Sequence, residues 1–412
     1  MESHAQSVED NLIDSLSFKL RPGASYVTDR RSVSFFPQGG NDYQPNGVKV
    51  IKISLNGDSW LDPSTVKLFF DVTNNSSDPI YPIVANGWGL FKRMRVLCGG
   101  QIIEDIDNYG RLHQLFHMMK PSEKRSNDSI EGFGDWSDSV SDGIDAGKTR
   151  TIGFTPMSGL FSQGKYLPIR YASIQIELEL VSSGADALIA TGAFPGNNFR
   201  LTDVQLKADL VSLDNSLDNE YSQHLLSGKT LPIHFSTFTC ASQVITSLNT
   251  TVNVSRALTR LKSIFVSMSL STAHEVNNFW HPMAGTYDHD KELEFECQIG
   301  SKKFPEYPIR SSAEAFYQLR KALGVHDINA QMDIKSNDYR NNKYVIGIDL
   351  EKVLGASFSG YNSKSGDLLT LKQKPNGTMA LDTSGDKSYK MHYVLHYDSI
   401  MNIKDAGVEI LE

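Results

Sequence analysis

His113 and His117 stand four residues apart in a stretch where Leu112, Leu115, Phe116 and Met119 fall at i, i+3, i+4 and i+7, one face of a helix. Two histidines so spaced share a helix side and are a common start for a zinc site. No glutamate follows His113 in the metalloprotease pattern and no third ligand stands nearby, so the pair reads as helix-surface histidines. The run Gly143–Thr149 imitates a phosphate-binding loop, but that loop needs four residues between its glycines and here there are three. Asp138, Asp142 and Gly143 suggest a calcium loop, yet Val140 fills a position that must supply oxygen. Asp288-His289-Asp290 reads as a turn. Gly355-Ala356-Ser357-Phe358-Ser359 has serine where a nucleophile elbow needs its last glycine. Cys98, Cys240 and Cys297 have neither metal-ligand spacing nor the number for a disulfide framework, and buried free thiols are expected. These residues predict no catalytic constellation, no metal set and no cofactor.

The elements around the two histidines are the best-patterned part of the chain. Met94, Val96 and Cys98 alternate with Arg93 and Arg95, Gly99-Gly100 closes a hairpin, and Gln101–Ile106 returns. The helix that follows ends before Pro121. About 200 residues later the plan recurs. Leu293, Phe295 and Cys297 alternate, Gly300-Ser301 turns, Lys302–Pro308 returns, and a helix capped by Ser311 or Ser312 runs until Gly324 stops it. The order of elements points to duplication of one β-rich unit.

Composition supports an ordered chain of about two or three domains: 412 residues, 40% hydrophobic, 21% charged, net charge −8. Basic residues cluster only at Arg30-Arg31, Lys92–Arg95 and Lys302-Lys303, too sparsely for a surface that grips nucleic acid. No apolar run is long enough to span a bilayer as a helix, and the polar, acidic Met1–Leu20 does not read as a secretory signal. Folding in a reducing compartment is expected, so the sequons at Asn74, Asn127, Asn249 and Asn376 should be inert.

Residues 1–25 read as an N-terminal arm whose stripe Val8, Leu12, Ile13 and Leu16 is a candidate assembly contact. Asp29–Asn46 reads as loop, and a change of phase predicts a bulge at Val50-Ile51. Eight strands follow to Leu210, interrupted by an acidic excursion, Pro121–Lys148, expected to lie exposed outside both cores. Ser212–Thr230 breaks the pattern, which divides the chain into 26–218 and 219–412. Short strands with turn chemistry between them predict an all-β protein of two tandem antiparallel eight-stranded sandwiches, the jelly roll being the leading topology.

Three further features carry a resemblance. Asn86–Phe91, Val96–Glu104 and Tyr109–Phe116 are similar to the segment with an asparagine, a Leu-Phe strand start, a glycine turn and a tyrosine-led helix in double jelly-roll viral major capsid proteins. That lineage includes adenovirus, tectivirus, virophage and polinton-like examples. Tyr166–Arg170, Ser359–Asn362 and His392–Asp398 resemble further stretches in the same order, although Gly99-Gly100 stands where Asn-Gly is more usual. The resemblance implies a structural subunit that forms trimeric, pseudo-hexagonal capsomers of an icosahedral virion shell. The implied partners are further copies, neighbouring capsomers, and penton and minor capsid proteins, around a genome that is not specifically recognised. The alternative is a jelly-roll carbohydrate- or receptor-binding protein of lectin or fibre type; a cupin or glycoside-processing enzyme would need a histidine set or paired carboxylates that are not seen.

Overall fold

A computed structural model describes residues 26–82, 86–133, 143–190, 198–270, 279, 292–325, 332–353, 358–364, 368–377, 381 and 389–412. The first eight long strands are β1 (Val27–Phe35), β2 (Val50–Leu55), β3 (Trp60–Asn74), β4 (Phe91–Cys98), β5 (Gln101–Asp107), β6 (Thr149–Phe154), β7 (Ile174–Leu180) and β8 (Phe199–Leu213). They form two sheets, ordered β1-β8-β3-β6 and β2-β7-β4-β5. The second eight are β9 (Leu231–Ile245), β10 (Thr250–Val254), β11 (Leu261–Leu270), β12 (Leu293–Ile299), β13 (Lys302–Ile309), β14 (Ile346–Asp349), β15 (Leu369–Pro375) and β16 (Tyr389–Lys404). Their sheets run β9-β16-β11-β14 and β10-β15-β12-β13. Adding eight to every strand of the first half reproduces the second. This is the jelly-roll permutation, made twice, and β17 (Gly407–Leu411) extends the last strand as a hairpin.

The reason these residues form strands is the period-2 pattern. In β7, Ile174, Ile176, Leu178 and Leu180 are buried to 1% exposure or less, while Gln175 and Glu179 face outward. The outer faces of the two corresponding sheets carry charge ladders, Lys52–Glu177–Arg95 in the first roll and Lys374–Glu294–Arg310 in the second. In each ladder the basic ends reach water over a largely covered carboxylate, Glu177 or Glu294, and such surface pairs contribute little stability each but mark which face is wet. The buried apolar residues form one continuous core that includes both rolls.

Among the described residues six α-helices lie between strands: α1 (Tyr109–Met118), α2 (Ser122–Ile130), α3 (Gly159–Ser162), α4 (Asn215–Leu226), α5 (Ser312–Ala322) and α6 (Ser336–Asn341). Helix α5 starts at the cap Ser311, whose side chain accepts from the Glu314 amide, and Gly324 ends it at φ +69°. The hairpin glycines Gly99 and Gly100 have φ +55° and +82°, the conformation of a tight primed turn.

Three expectations about these elements need correction. Asp29–Asn46 is not all loop, because β1 pairs with β8 from Val27 to Phe35. It is an edge strand held by backbone bonds, with only Val27, Val33 and Phe35 partly buried, so it carries almost no hydrophobic pattern. There is no bulge at Val50-Ile51: the β2–β7 register is unbroken, and Val48 and Val50 are exposed outward-facing apolar residues. Between the end of β8 at Leu213 and the start of β9 at Leu231 the chain forms α4, capped by Asp214.

The excursion Pro121–Lys148 is the third. Helix α2 buries nothing, as expected of a polar surface segment, but its surroundings are sewn into the first roll. Phe133 is 1% and Ile144 3% exposed, and Ile144 exchanges both backbone hydrogen bonds with Ile80. Residues 134–142, with Asp138, Val140 and Asp142, lie outside the described residues. Phe133→Ala is therefore expected to cost about 3 kcal/mol in chemical denaturation, and Ile130→Ser next to nothing; equal effects would return the whole segment to the surface.

Candidate functional site at the junction of the two rolls

The two rolls meet through groups that would be expensive to bury singly. In the β4–β5 hairpin the register slips beside Val96, which faces Glu104 while its neighbour Leu97 faces Ile102. The extra residue, Ile103, is a bulge, and it turns Ile103 and Glu104 both inward at 1% exposure. Glu104 then accepts from four donors. Oε1 takes the Gly159 amide at 2.7 Å and the Thr237 hydroxyl at 2.5 Å, and Oε2 takes the Ser158 hydroxyl and the Leu160 amide. Ser158 is also the cap of α3, its hydroxyl accepting from the Phe161 amide. Glu104 thus joins β5, the start of α3 and β9 of the other roll. Burial raises its pKa above the ordinary carboxylate value, while the hydroxyls of Ser158 and Thr237 and the two amides pull it back. Gly159 is essential to this geometry, because a Cβ there would lie 1.9 Å from the Ser236 carbonyl oxygen of β9.

Helix α1 makes the second half of the junction. Its Arg111 is 5% exposed and donates from Nη2 to the Ser267 hydroxyl at 3.0 Å and the Met268 carbonyl at 3.3 Å, with its guanidinium 4.2 Å from the centre of the Phe279 ring. Phe116 lies 4.9 Å from Phe238 and 5.2 Å from Phe265, both of the second roll. On its opposite side α1 rests on Trp88. The segment before β4 explains why: Asn86 caps the turn Gly87–Leu90 and also donates to the Asp128 carbonyl, holding Trp88 at 1% exposure.

The two histidines singled out by spacing sit here, and the expectation that they are surface residues is wrong. His113 and His117 are 8% and 5% exposed. His113 stacks on Trp88 with centroids 4.1 Å apart and planes 18° apart, and His117 tilts over the same ring at 4.6 Å. Burial lowers the His113 pKa to about 3. It lowers that of His117 to about 4, with Lys120 adding to the effect. Both imidazoles are neutral at neutral pH. Beside them a cleft of about 460 Å³ opens between the rolls, with Phe116, Phe238, Met157 and His396 on its walls and Lys67, Asp128 and Glu131 near its rim.

Among the described residues no group of three histidines, cysteines or carboxylates is placed to hold a metal ion. His113 and His117 have their rings against Trp88, which is a packing role. Lys148 is exposed beside the Asp145–Gly147 turn. Cys98 and Cys297 are buried with pKa values pushed up by desolvation to about 12, so both are inert thiols. Asn74 is 0% exposed, its side chain donating to Ile144 and Asp78, so that sequon is closed to modification. The assembly stripe Val8, Leu12, Ile13 and Leu16 and the Asp288–Asp290 turn lie outside the described residues, as does most of Gly355–Ser359. Sequence reasoning missed Glu104, Ser158, Thr237 and Arg111. Nothing in the local pattern marks them, because each is polar, single, and completed by residues at least 54 positions away.

Two jelly rolls in one chain, of identical strand permutation and joined by a buried polar seam, define the double jelly-roll fold. The chain is similar over most of its length to PBCV-1 VP54, the crystal structure of which was fitted into a reconstruction of the virophage Sputnik (12% identity, 96% of this chain and 99% of that one, TM-score 0.65). It is likewise similar to the Faustovirus major capsid protein (9% identity, 95% and 93%, TM-score 0.63) and to the mavirus major capsid protein (10% identity, 100% and 95%, TM-score 0.53). No protein-family model matches the chain, and no curated protein matches it.

Proposed function

We propose that this protein is a viral major capsid protein, a structural and non-enzymatic subunit that assembles as homotrimers into the shell of a virion. The observation that carries the reading is the whole-chain likeness in fold to the Faustovirus and mavirus major capsid proteins. The division into 26–218 and 219–412 is kept as part of this proposal, with α4 between the two rolls.

The internal junction supports the oligomer. Within one chain, β5 of the first roll docks on β9, the first strand of the second. The matching surfaces left over are β13 of the second roll and β1 of the first. Each is the end strand of its sheet order, β13 exposing Lys302, Lys303, Glu306 and Tyr307, and β1 exposing Thr28–Ser32. Docking β13 of one copy on β1 of the next repeats the internal step, and three chains then present six rolls in a closed ring. Covering these edges also removes two templates for aggregation.

Sedimentation of the purified protein should give a three-chain species, and Tyr307→Glu combined with Lys303→Glu should release folded monomer. A wild-type monomer across micromolar concentrations, or a trimer indifferent to the double change, would sink the arrangement. The arm of residues 1–25, with Val8, Leu12, Ile13 and Leu16, is proposed to act later, against adjacent capsomers or a minor capsid protein. Removing residues 1–16 should leave the trimer intact and stop shells from closing; normal shells from the truncated chain would refute that role.

A further inference from the structure

Four imidazoles gather where the rolls meet, two from each side. His113 and His117 of α1 press on Trp88. On β16, His396 stacks on Phe238 at 4.6 Å with its planes 15° apart, and His392 contacts the Ser269 hydroxyl through Nε2 at 2.8 Å. Helix α1 is the element common to both pairs, since Arg111 reaches the β11 strand beside Ser269 and Phe116 touches Phe238. We propose that this seam is an acid-responsive joint: on mild acidification the imidazoles are drawn into water, α1 leaves its seat, and the rolls lose their fixed relation while each sandwich stays folded.

The groups facing each ring among the described residues leave little to hold a new positive charge. His113 bonds the Thr155 carbonyl through Nε2 at 3.3 Å, and the titratable groups near it are His117, Lys120 and Asp128. His117 is 3.5 Å from Asp128 Oδ2, but Lys120 holds the same oxygen at 2.8 Å and Arg125 adds a second cation. Across the cleft, Glu131 is already paired with Lys67. His396 accepts or donates at Ser263 with Nδ1 at 3.1 Å and faces Lys262, whose own partners are Glu351 and Asp398. His392 faces Arg111 and Lys390. Burial is the largest effect in all four, and it lowers every one of these pKa values.

The direction follows. An opened joint takes up protons below pH 6.5, the ordinary histidine value, and the closed joint refuses them until about pH 4 at His117 and about pH 3 at His113. Closure is at full strength above pH 6.5 and weakens steadily as pH falls through that window. At pH 5.0 the shift toward the open form is about 30-fold for each histidine that must stay neutral. His396 is half-buried on the cleft wall, where water reaches it first.

Amide hydrogen exchange on the full chain at pH 7.5 and 5.0, corrected for the intrinsic pH dependence, reads the joint directly. Protection of α1 and of the β9 residues around Phe238 should fall about 900-fold or more at pH 5.0, about 30-fold for each of His117 and His396, while β3 and β8 keep theirs. His117→Gln and His396→Phe should each remove roughly 30-fold of that loss. Unchanged protection in α1, or an equal fall in β3 and β8, would overturn the proposal without recourse to any variant. So would variants that fold and keep the full pH response.

Discussion

Glu104→Ala is expected to destabilise the protein by about 3 kcal/mol, because two amide N–H groups and two hydroxyls lose their only strong acceptor inside the seam. The hydroxyls of Ser158 and Thr237 can rotate toward other partners, whereas the Gly159 and Leu160 amides cannot. Glu104→Gln separates the two kinds of donor. Each carboxylate oxygen receives one amide and one hydroxyl, so either orientation of the glutamine points its NH2 at a fixed N–H. Glutamine should recover the packing and still cost about 1–2 kcal/mol. Guanidinium denaturation of the three proteins tests the order wild type, Gln, Ala. A glutamine variant as stable as wild type would mean that Glu104 does not bind all four donors at once.

A larger effect is expected from one added methyl group. In Gly159→Ala the new Cβ would lie 1.9 Å from the Ser236 oxygen and 2.7 Å from its carbon, both backbone atoms of a strand paired along its length with β16. A side chain could swing aside; β9 cannot without breaking that ladder. The cost should exceed about 4 kcal/mol, or the rolls should part with a loss of exchange protection concentrated in β9 and α3. Normal stability with normal protection in β9 would show that the rolls approach less closely than described.

The legibility of this fold in its sequence follows how each element is held. Strands such as β7 and β12 bury one face, and their alternation is written plainly in Ile174–Leu180 and Leu293–Ile299. Helix α5 announced its start and stop through Ser311 and Gly324. Strand β1 was invisible because an edge strand is held by its backbone and needs no apolar side. Phe133 and Ile144 stand inside an acidic stretch, where single buried residues produce no period. Spacing picks out His113 and His117 but not their surroundings, because it says which side of a helix they share and not what covers that side. The seam itself was beyond local reading: Glu104, Gly159 and Thr237 come from three distant segments, and Glu104 points inward only because a bulge turns it.

The bulge also leaves a difference between the halves. By register Val96 faces Glu104 in the first roll, and in the second Cys297 faces Phe304, which lies edge-on to Tyr361 at 5.1 Å. The second roll therefore keeps the strand and lacks the carboxylate, and among the described residues its β13 meets no other roll of the same chain. In the proposed ring, joints of two grades would alternate: three covalently tethered and bolted by Glu104, and three untethered and lacking the bolt. Under mechanical load such a ring would yield first at the seams between chains, releasing intact two-roll pieces rather than torn ones.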